Sequence, residues 1–158
     1  MIGPNGAGKT VLMSCILGDK KPSSGQVLID GKAGKAKNKI AVLLQENTIP
    51  NSLKVSELIA FFQSISDNPL TNQEVQELLQ FKEDQYHQFA DKLSGGQRRL
   101  LAFVLCLIDK PKILFLDEPT AGMDTSTRQR FWEIVNDLKK SGVTILYSCL
   151  LYTSDAAD

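Results

Sequence analysis

The chain lacks a long hydrophobic segment. Its longest apolar run spans residues 100–108, whereas a membrane-spanning helix needs roughly 20 consecutive apolar residues. The chain also lacks an excess of charge of either sign, because 18 basic residues balance 18 acidic ones. A strongly basic surface of the kind that binds nucleic acid is therefore not predicted. These two absences argue against a protein that crosses the membrane by itself and against DNA or RNA as a partner.

Two residue types that often build catalytic or metal sites are scarce. The single histidine, His87, is interpreted as a solvated or structural residue. The cysteines Cys15, Cys106 and Cys149 lie in apolar surroundings, and their spacing fits no zinc site. We therefore expect free thiols in a reducing cytosol. The rest of the composition, with 42% hydrophobic and 23% charged residues in 158, is typical of one folded domain with a core.

Apolar patterning predicts strands that alternate with helices. Continuous apolar runs predict buried strands, and apolar residues at helical spacing predict helices that bury one face. The predicted strands cover residues 26–29, 39–44, 113–116 and 143–147. The predicted helices cover residues 10–18, 54–66, 71–81, 94–108 and 125–140. This alternation predicts an α/β fold in which helices flank a mainly parallel sheet.

Local signals refine this outline. Ser94 and Gln97 fit a capping box at the start of a helix. The Asp-Gly pair at 30–31 predicts a turn, and the small, basic segment 32–39 is interpreted as a solvated loop. The helices within residues 54–108 are predicted to form a small helical insertion in the α/β domain.

A glycine-rich segment near the start of the chain matches the pattern G-x-x-x-x-G-K-[ST]. It lies between the end of a predicted strand and the start of a predicted helix, which is the context that a phosphate-binding loop requires. Glycines let the backbone amides turn toward phosphate oxygens, and the helix N-terminus attracts the anion. Lys9 is expected to reach the β- and γ-phosphates, and Thr10 to bind Mg²⁺. The segment predicts a P-loop NTPase and consists of Gly3, Pro4, Asn5, Gly6, Ala7, Gly8, Lys9 and Thr10.

Two carboxylates follow a buried apolar run. Asp117 and Glu118 come directly after Ile113-Leu114-Phe115-Leu116. Ligands of open parallel sheets bind beyond the carboxyl ends of the strands. Asp117 is therefore expected to hold Mg²⁺, directly or through water, and Glu118 to orient or deprotonate the attacking water.

A second helix start carries features of an anion site. Ser94 caps the helix, and Gly95 and Gly96 remove side chains where its N-terminus must approach something closely. Gln97 completes the segment. A phosphate fits this position, although nothing local explains why one chain needs two phosphate-binding helix starts.

Three motifs, in their order along the chain, resemble the ATP-binding subunit of an ABC transporter. They are the phosphate loop, the signature segment at 93–97 and the apolar run with its carboxylates at 113–118. The resemblance covers about residues 2–148. It implies ATP and Mg²⁺ as cofactors, and a head-to-tail pair of ATP-binding domains in which the signature of one covers the γ-phosphate held by the other. It also implies hydrolysis that drives transport through a separate transmembrane permease, with the subunit in the cytoplasm on the inner face of the cell membrane.

The same resemblance assigns two further residues. Gln45, at the end of a predicted strand, resembles the glutamine that touches Mg²⁺ and the attacking water and senses the membrane partner. Asp124 lies in a loop that resembles the one crossing the dimer interface. The sequence of residues 118–124 looks most like the exporter-type ATPases that serve drug, antibiotic or peptide efflux.

The chain departs from the family pattern at both ends. Family members carry an antiparallel strand set with an adenine-stacking aromatic residue before the phosphate loop, whereas Met1 and Ile2 stand there in this chain. Leu150 occupies the position of the family's switch histidine, and residues 149–158 do not resemble the family. We interpret residues 1–148 as part of an ATP-binding domain, truncated at both ends, and residues 149–158 as a non-native tail. The parent is expected to hydrolyse ATP, and the chain as written to bind Mg-ATP weakly and hydrolyse it poorly.

Other functions remain open at this point. One alternative is a soluble ABC-type ATPase of translation. The DNA-repair kind is disfavoured, because residues 46–92 are too short for its coiled coil and have no sustained heptads. A third alternative is a regulatory module that locks on ATP without hydrolysing it, which Leu150 favours and Glu118 opposes.

Overall fold

The computed structural model describes residues 8–29, 32–33, 40–44, 49–50 and 52–148. Its helices are α1 (Lys9–Leu17), α2 (Val55–Ser64), α3 (Asn72–Leu79), α4 (Glu83–His87), a 3₁₀ turn (Ala90–Lys92), α5 (Gly95–Leu107) and α6 (Thr125–Lys140). Its strands are β1 (Leu28–Ile29), β2 (Lys32–Ala33), β3 (Ile40–Leu43), β4 (Ile113–Asp117) and β5 (Thr144–Ser148).

The three longer strands form a parallel sheet in the order β3-β4-β5. Ile40 pairs with Ile113, which in turn pairs with Thr144, so the carboxyl ends of the strands meet at one edge. Strand β4 lies in the middle and is buried from residue 114 to 117. This arrangement confirms the predicted α/β fold with a parallel sheet, and it places the Asp117 end of β4 at the edge where such sheets bind ligands.

Strand β5 is less buried than its sequence predicts. Thr144 is exposed, and Tyr147 is 40% exposed. Within the described part of the chain, β5 pairs with β4 alone, and the Tyr147 ring packs on Trp132 at a centroid distance of 5.6 Å. An apolar run indicates that a strand is hydrophobic, but it does not indicate which neighbouring element covers the strand. The prediction of a fully buried strand is therefore wrong.

A short hairpin replaces part of the predicted loop at 32–39. Leu28–Ile29 pairs in antiparallel fashion with Lys32–Ala33, so the prediction that residues 32–33 lie in a loop is wrong. An Asp-Gly pair between two strands favours a tight hairpin turn, which explains the pairing that the basic composition obscured. Residues 30–31 and 34–39 themselves lie outside the described part.

Residues 52–112, between β3 and β4, are mainly helical, and hydrogen bonds join residues 53–55 to residues 88–90. The Ala90 N–H donates to the Leu53 carbonyl (3.0 Å), and the Val55 N–H donates to the Gln88 carbonyl (3.1 Å). Helix α4 and the 3₁₀ turn were not predicted, because elements of five and three residues are too short to show a hydrophobic period. The bounds 54–108 for a helical insertion stay a prediction. The buried side chains of α2, α3 and α4 include Val55, Leu58, Ile59, Val75, Leu79 and Tyr86.

Helices α5 and α6 pack together beside the sheet. Phe103 of α5 and Phe131 of α6 are fully buried, with ring centroids 4.3 Å apart. Residues 100–105 of α5 are all buried, as their uninterrupted apolar sequence predicts. The predicted bounds of α6 match the observed ones. Packing of this helix pair fixes the position of the α5 N-terminus relative to the end of β4.

The described cysteines and the single histidine have the surroundings that the sequence predicts for them. Cys15 and Cys106 are free and half-buried, and burial raises the pKa of the Cys106 thiol to about 11. Cys149 lies outside the described part. His87 is exposed, 3.3 Å from the Glu83 carboxylate, as expected of a solvated residue. No helix among the described residues is long and apolar enough to span a membrane.

Candidate nucleotide-binding site

The described part of the phosphate loop begins at Gly8, and residues 3–7 lie outside it. Gly8 adopts a left-handed conformation (φ 82°) at the N-cap of α1, and its carbonyl accepts the first helical hydrogen bond from Leu12 (2.9 Å). Among the described residues, no atom would lie within 4 Å of a β-carbon on Gly8. The left-handed backbone, and not a steric neighbour, therefore explains why this residue is glycine. No side chain caps α1. The N-cap glycine has no side chain to bond the first amides of α1, and the unbonded amides of a helix N-terminus suit an anion.

Asp117 ends β4 and is buried, with 5% of its surface exposed. The register of the parallel sheet places Ser148, the last residue of β5, beside it. The Ser148 hydroxyl donates to Oδ1 of Asp117 and accepts a hydrogen bond from the Glu118 N–H (3.2 Å). Ser148 thus connects both carboxylate residues. The role of Ser148 was not predicted from the sequence, because its two partners lie about 30 residues away in the chain.

Glu118 has a backbone conformation that is unusual for its residue type. Its φ angle is 44°, in the left-handed region. A non-glycine residue there costs about 1–3 kcal/mol and persists only when its surroundings hold it. Here the N–H is bound by Ser148, and the carbonyl accepts from Arg99 (3.3 Å) and from the Ala121 N–H (3.2 Å). Such strain often occurs at functional sites, which suits a carboxylate aimed in a defined direction.

Arg99 of α5 is the second site residue that was not predicted from the sequence. Its guanidinium donates to three successive carbonyls, those of Asp117 (3.0 Å), Glu118 (3.3 Å) and Pro119 (3.3 Å). Burial lowers the pKa of Arg99, and the nearby Asp117 opposes that shift; arginine nevertheless stays charged at any ordinary pH. The available signal was a pair of arginines, Arg98 and Arg99, at the start of the apolar body of α5, but their partners were not predictable from local sequence.

The signature segment forms the first turn of α5. The Ser94 hydroxyl accepts from the Gln97 N–H (3.2 Å), and the Gln97 carbonyl Oε1 accepts from the Ser94 N–H (3.1 Å). This reciprocal pair is the predicted capping box. Both side chains therefore have partners within the helix start. A β-carbon on Gly95 would meet no atom within 4 Å, so Gly95 faces open space.

Gly96 differs from Gly95, because its neighbour belongs to the same chain. A β-carbon on Gly96 would lie 3.0 Å from Oδ2 of Asp124 and 3.4 Å from the Met123 Cα. The close approach that the two glycines predicted thus has an intramolecular cause at Gly96. At Gly95 the space remains open to a partner from outside the described chain.

Asp124 caps helix α6. Its carboxylate accepts from the Thr127 N–H (3.0 Å), the Ser126 hydroxyl (2.7 Å) and the Thr127 hydroxyl (2.7 Å). These hydrogen bonds hold the pKa of Asp124 well below its usual range. The residue is exposed, and its predicted part in a dimer interface stays a prediction beside this local role.

The residues predicted to hold a metal ion are Thr10, Gln45 and Asp117, from three different parts of the chain. Asp117 is the buried carboxylate at the sheet edge, whereas Gln45 and the side chain of Thr10 lie outside the described part. Gln45 follows β3, whose Leu43 pairs with Leu116. No cluster of three His, Cys, Asp or Glu residues occurs among the described residues. Mg²⁺ binds through one or two carboxylates together with phosphates and water, and Asp117 offers a carboxylate of this kind.

A sequence profile for the family described as "ABC transporter" matches residues 1–121. The chain belongs to the ABC transporter family. It is 34% identical over 157 residues to the spermidine/putrescine import ATP-binding protein PotA of Thermotoga maritima, covering 93% of this chain and 42% of that one. It is 35% identical over 157 residues to the Nod factor export ATP-binding protein I of Ralstonia nicotianae, covering 92% and 48% respectively. The chain thus spans less than half the length of these two relatives.

A solved structure supports the fold of this ABC family member. The ATP-binding cassette MJ0796, in a dimeric post-hydrolysis state bound to ADP and Pi, matches with a TM-score of 0.76 at 21% identity. The match covers 93% of this chain and 72% of that one. It confirms the predicted P-loop NTPase fold of an ABC cassette. The names of the relatives include both import and export proteins, so the exporter type stays a prediction.

Proposed function

We propose that this protein binds Mg-ATP and hydrolyses it in a head-to-tail dimer of ATP-binding domains, and that hydrolysis drives transport through a separate permease chain. The main support is the arrangement of Asp117 and Glu118 at the carboxyl end of the central parallel strand, with the Glu118 backbone bound from both sides by Ser148 and Arg99. Membership of the family and the names of the relatives support ATP as the nucleotide.

The first turn of α1 and the loop before it hold the phosphates in this proposal. The loop comprises Gly3, Pro4, Asn5, Gly6, Ala7, Gly8, Lys9 and Thr10. Lys9 binds the β- and γ-phosphates. Mg²⁺, which neutralises developing phosphate charge when bound, is held by Thr10, Gln45 and Asp117. The buried position of Asp117 strengthens its attraction for a cation, because charges interact more strongly away from water.

Glu118 acts on the attacking water in this proposal. A carboxylate at hydrogen-bond distance can orient the water and accept its proton. Because the φ angle of Glu118 is fixed by hydrogen bonds on both of its peptide groups, its side chain leaves the backbone in one defined direction. Gln45 supports the same water and the metal.

A second ATP-binding domain completes the site in this proposal. Its Ser94, Gly95, Gly96 and Gln97 cover the γ-phosphate, and Asp124 lies at the interface. The Ser94 and Gln97 amides bond within the helix start, so the amides of Gly95 and Gly96 are the backbone groups that face the anion. The Ser94 hydroxyl accepts from Gln97 and still has its own proton to donate. The open space at Gly95 suits such an approach. The dimeric state of MJ0796 is consistent with this pairing.

Transport is proposed to run outward, because residues 118–124 resemble those of efflux ATPases. The subunit would lie in the cytoplasm, against the inner face of the membrane through its permease. ATP-dependent uptake of a fluorescent drug into inside-out vesicles tests this direction, and uptake into right-side-out vesicles instead contradicts it.

The variant Glu118→Gln tests the proposed chemistry in the longest natural protein that contains this chain. Losing the carboxylate should lower ATP turnover by about 100-fold or more while Mg-ATP still binds. Phosphate release measures turnover, and a fluorescent ATP analogue measures affinity. Glu83→Gln is the matched control, since Glu83 is exposed beside His87. Turnover by Glu118→Gln equal to that of the control contradicts the role of Glu118.

A regulatory module that locks on ATP is the second candidate, and Leu150 is the observation that favours it. A switch position without histidine lacks one contact to the γ-phosphate. The steady-state turnover of the unmodified full-length protein separates the candidates. Turnover supports the transport ATPase, whereas an ATP-bound dimer without turnover supports the regulator.

A further inference from the structure

The guanidinium of Arg99 connects two parts of the molecule that the proposed mechanism treats separately. Arg99 lies in α5, two residues after the signature segment, and binds the carbonyls of residues 117, 118 and 119. At the end of a strand these carbonyls leave the sheet ladder and need other partners. One charged group thus binds three successive carbonyls of residues 117–124, which we call the Glu118 turn.

The turn is also attached to α5 at a second point. Gly96, in the first turn of α5, lies against the backbone of Met123 and the Asp124 carboxylate. Residues 117–124 therefore contact α5 at both ends, through Arg99 and through Gly96. A displacement of the α5 N-terminus is expected to move the Glu118 backbone with it, since tightly packed elements transmit strain.

We propose that Arg99 is a positioning residue for hydrolysis. It sets the orientation of the Glu118 carboxylate, and this orientation depends on what binds the N-terminus of α5. This inference rests on the ATPase function proposed above. It adds a route by which the engagement of one ABC domain with its partner reaches the carboxylate of the same domain. Arg99 itself needs no contact with the nucleotide.

The variant Arg99→Gln, made in the full-length protein, tests this inference. The kcat for ATP should fall by about 10-fold or more, because small misplacements of a catalytic group are costly. The Kd for Mg-ATP should change by less than about threefold, since no ground-state contact is lost. Arg99→Lys, which retains a charged donor, should recover part of the rate.

Arg98→Gln is the matched control. Arg98 is the neighbouring residue on α5, and its Nε donates to a single carbonyl, that of Ala90 (3.3 Å), away from the Glu118 turn. Both substitutions remove a guanidinium–carbonyl contact from the same helix. Equal losses of kcat in Arg98→Gln and Arg99→Gln overturn the positioning role and leave a general packing role.

Two readouts separate positioning from mere stability. In a Glu118→Gln background, Arg99→Gln should lower the residual single-turnover rate by less than about threefold, because residues that act as a unit are non-additive. Amide hydrogen exchange at Glu118, Ala121 and Met123 should accelerate in Arg99→Gln but not in Arg98→Gln. An additive loss, or unchanged exchange at these amides, overturns the inference.

Failure of the proposed function is recognised differently. If the unmodified protein neither binds nor hydrolyses ATP, the ATPase proposal fails. The exchange comparison needs no nucleotide and still decides whether Arg99 holds the Glu118 backbone.

Discussion

At the scale of single residues, the two signature glycines have different reasons to be glycine. Gly96 is buried against Met123 and Asp124, so the chain itself leaves no room for a side chain at this position. No atom of the described residues would lie within 4 Å of a β-carbon on Gly95, so whatever excludes a side chain there comes from outside the described part of the chain. The sequence presents the two residues as an identical pair, and the difference appears only once α6 has packed on α5.

Alanine substitutions separate these reasons. Gly95→Ala should fold normally and gain up to about 1 kcal/mol of stability from helix propensity, yet lose turnover by about 10-fold because a methyl group blocks close approach to an anion. Gly96→Ala should lose about 1–3 kcal/mol, as expected of overpacking. Urea denaturation and phosphate release measure both effects. Undiminished turnover in Gly95→Ala contradicts an external ligand at that position.

At the scale of elements, the helices with strong end signals were predictable from sequence. Helix α6 has the predicted bounds, because Asp124 caps its first turn and Gly142, with a φ of 90°, follows its end. The capping box of Ser94 and Gln97 also formed as predicted. These signals are local in the chain, so tertiary packing was not needed to identify them.

Contacts between distant elements were not predictable in the same way. Arg99 reaches carbonyls 18–20 residues away, and Ser148 reaches Asp117 from 31 residues away. The types of these residues gave no hint of a partner, since arginine and serine occur on most solvent-facing surfaces. The sequence thus indicated the carboxylates Asp117 and Glu118 but not the side chains that position them.

Helix α6 also binds the end of α3, which gives an element-scale prediction. The Arg130 guanidinium donates to the carbonyls of Leu78 (3.1 Å) and Glu77, in the last turn of α3. Such C-terminal carbonyls lack partners within the helix. Arg130→Ala should lower the free energy of unfolding by about 1–3 kcal/mol without changing affinity for Mg-ATP.

Glu133→Gln is the control for Arg130. It removes the partly exposed ion pair between Glu133 and Arg130 (3.2 Å) but leaves the carbonyl contacts, so it should cost less than about 1 kcal/mol. Chemical denaturation of both variants measures the difference. Equal costs would show that the ion pair, and not the capping of α3, stabilises this junction.

At the scale of the whole molecule, the signature helix α5 combines an N-terminus that faces outward with an internal attachment to residues 117–119. The α5 N-terminus carries a satisfied capping box and the open position at Gly95. Its attachment to the Glu118 turn, however, is internal and already made. On the function proposed above, a partner that docks at α5 would act on a turn that is positioned beforehand, and dimer formation, more than folding, would assemble the site.

Nucleotide-dependent dimerisation of the full-length protein tests this view. Glu118→Gln should be monomeric without nucleotide and dimeric with Mg-ATP, because bound ATP joins the two interfaces and is not consumed. Adding Gly95→Trp should prevent the dimer while leaving the fold intact, since the indole enters open space in the monomer. Asn136→Trp, on the exposed face of α6, is the control for a surface tryptophan. Light scattering after size exclusion measures the mass, and a Gly95→Trp dimer as stable as the control would place the interface elsewhere on the molecule.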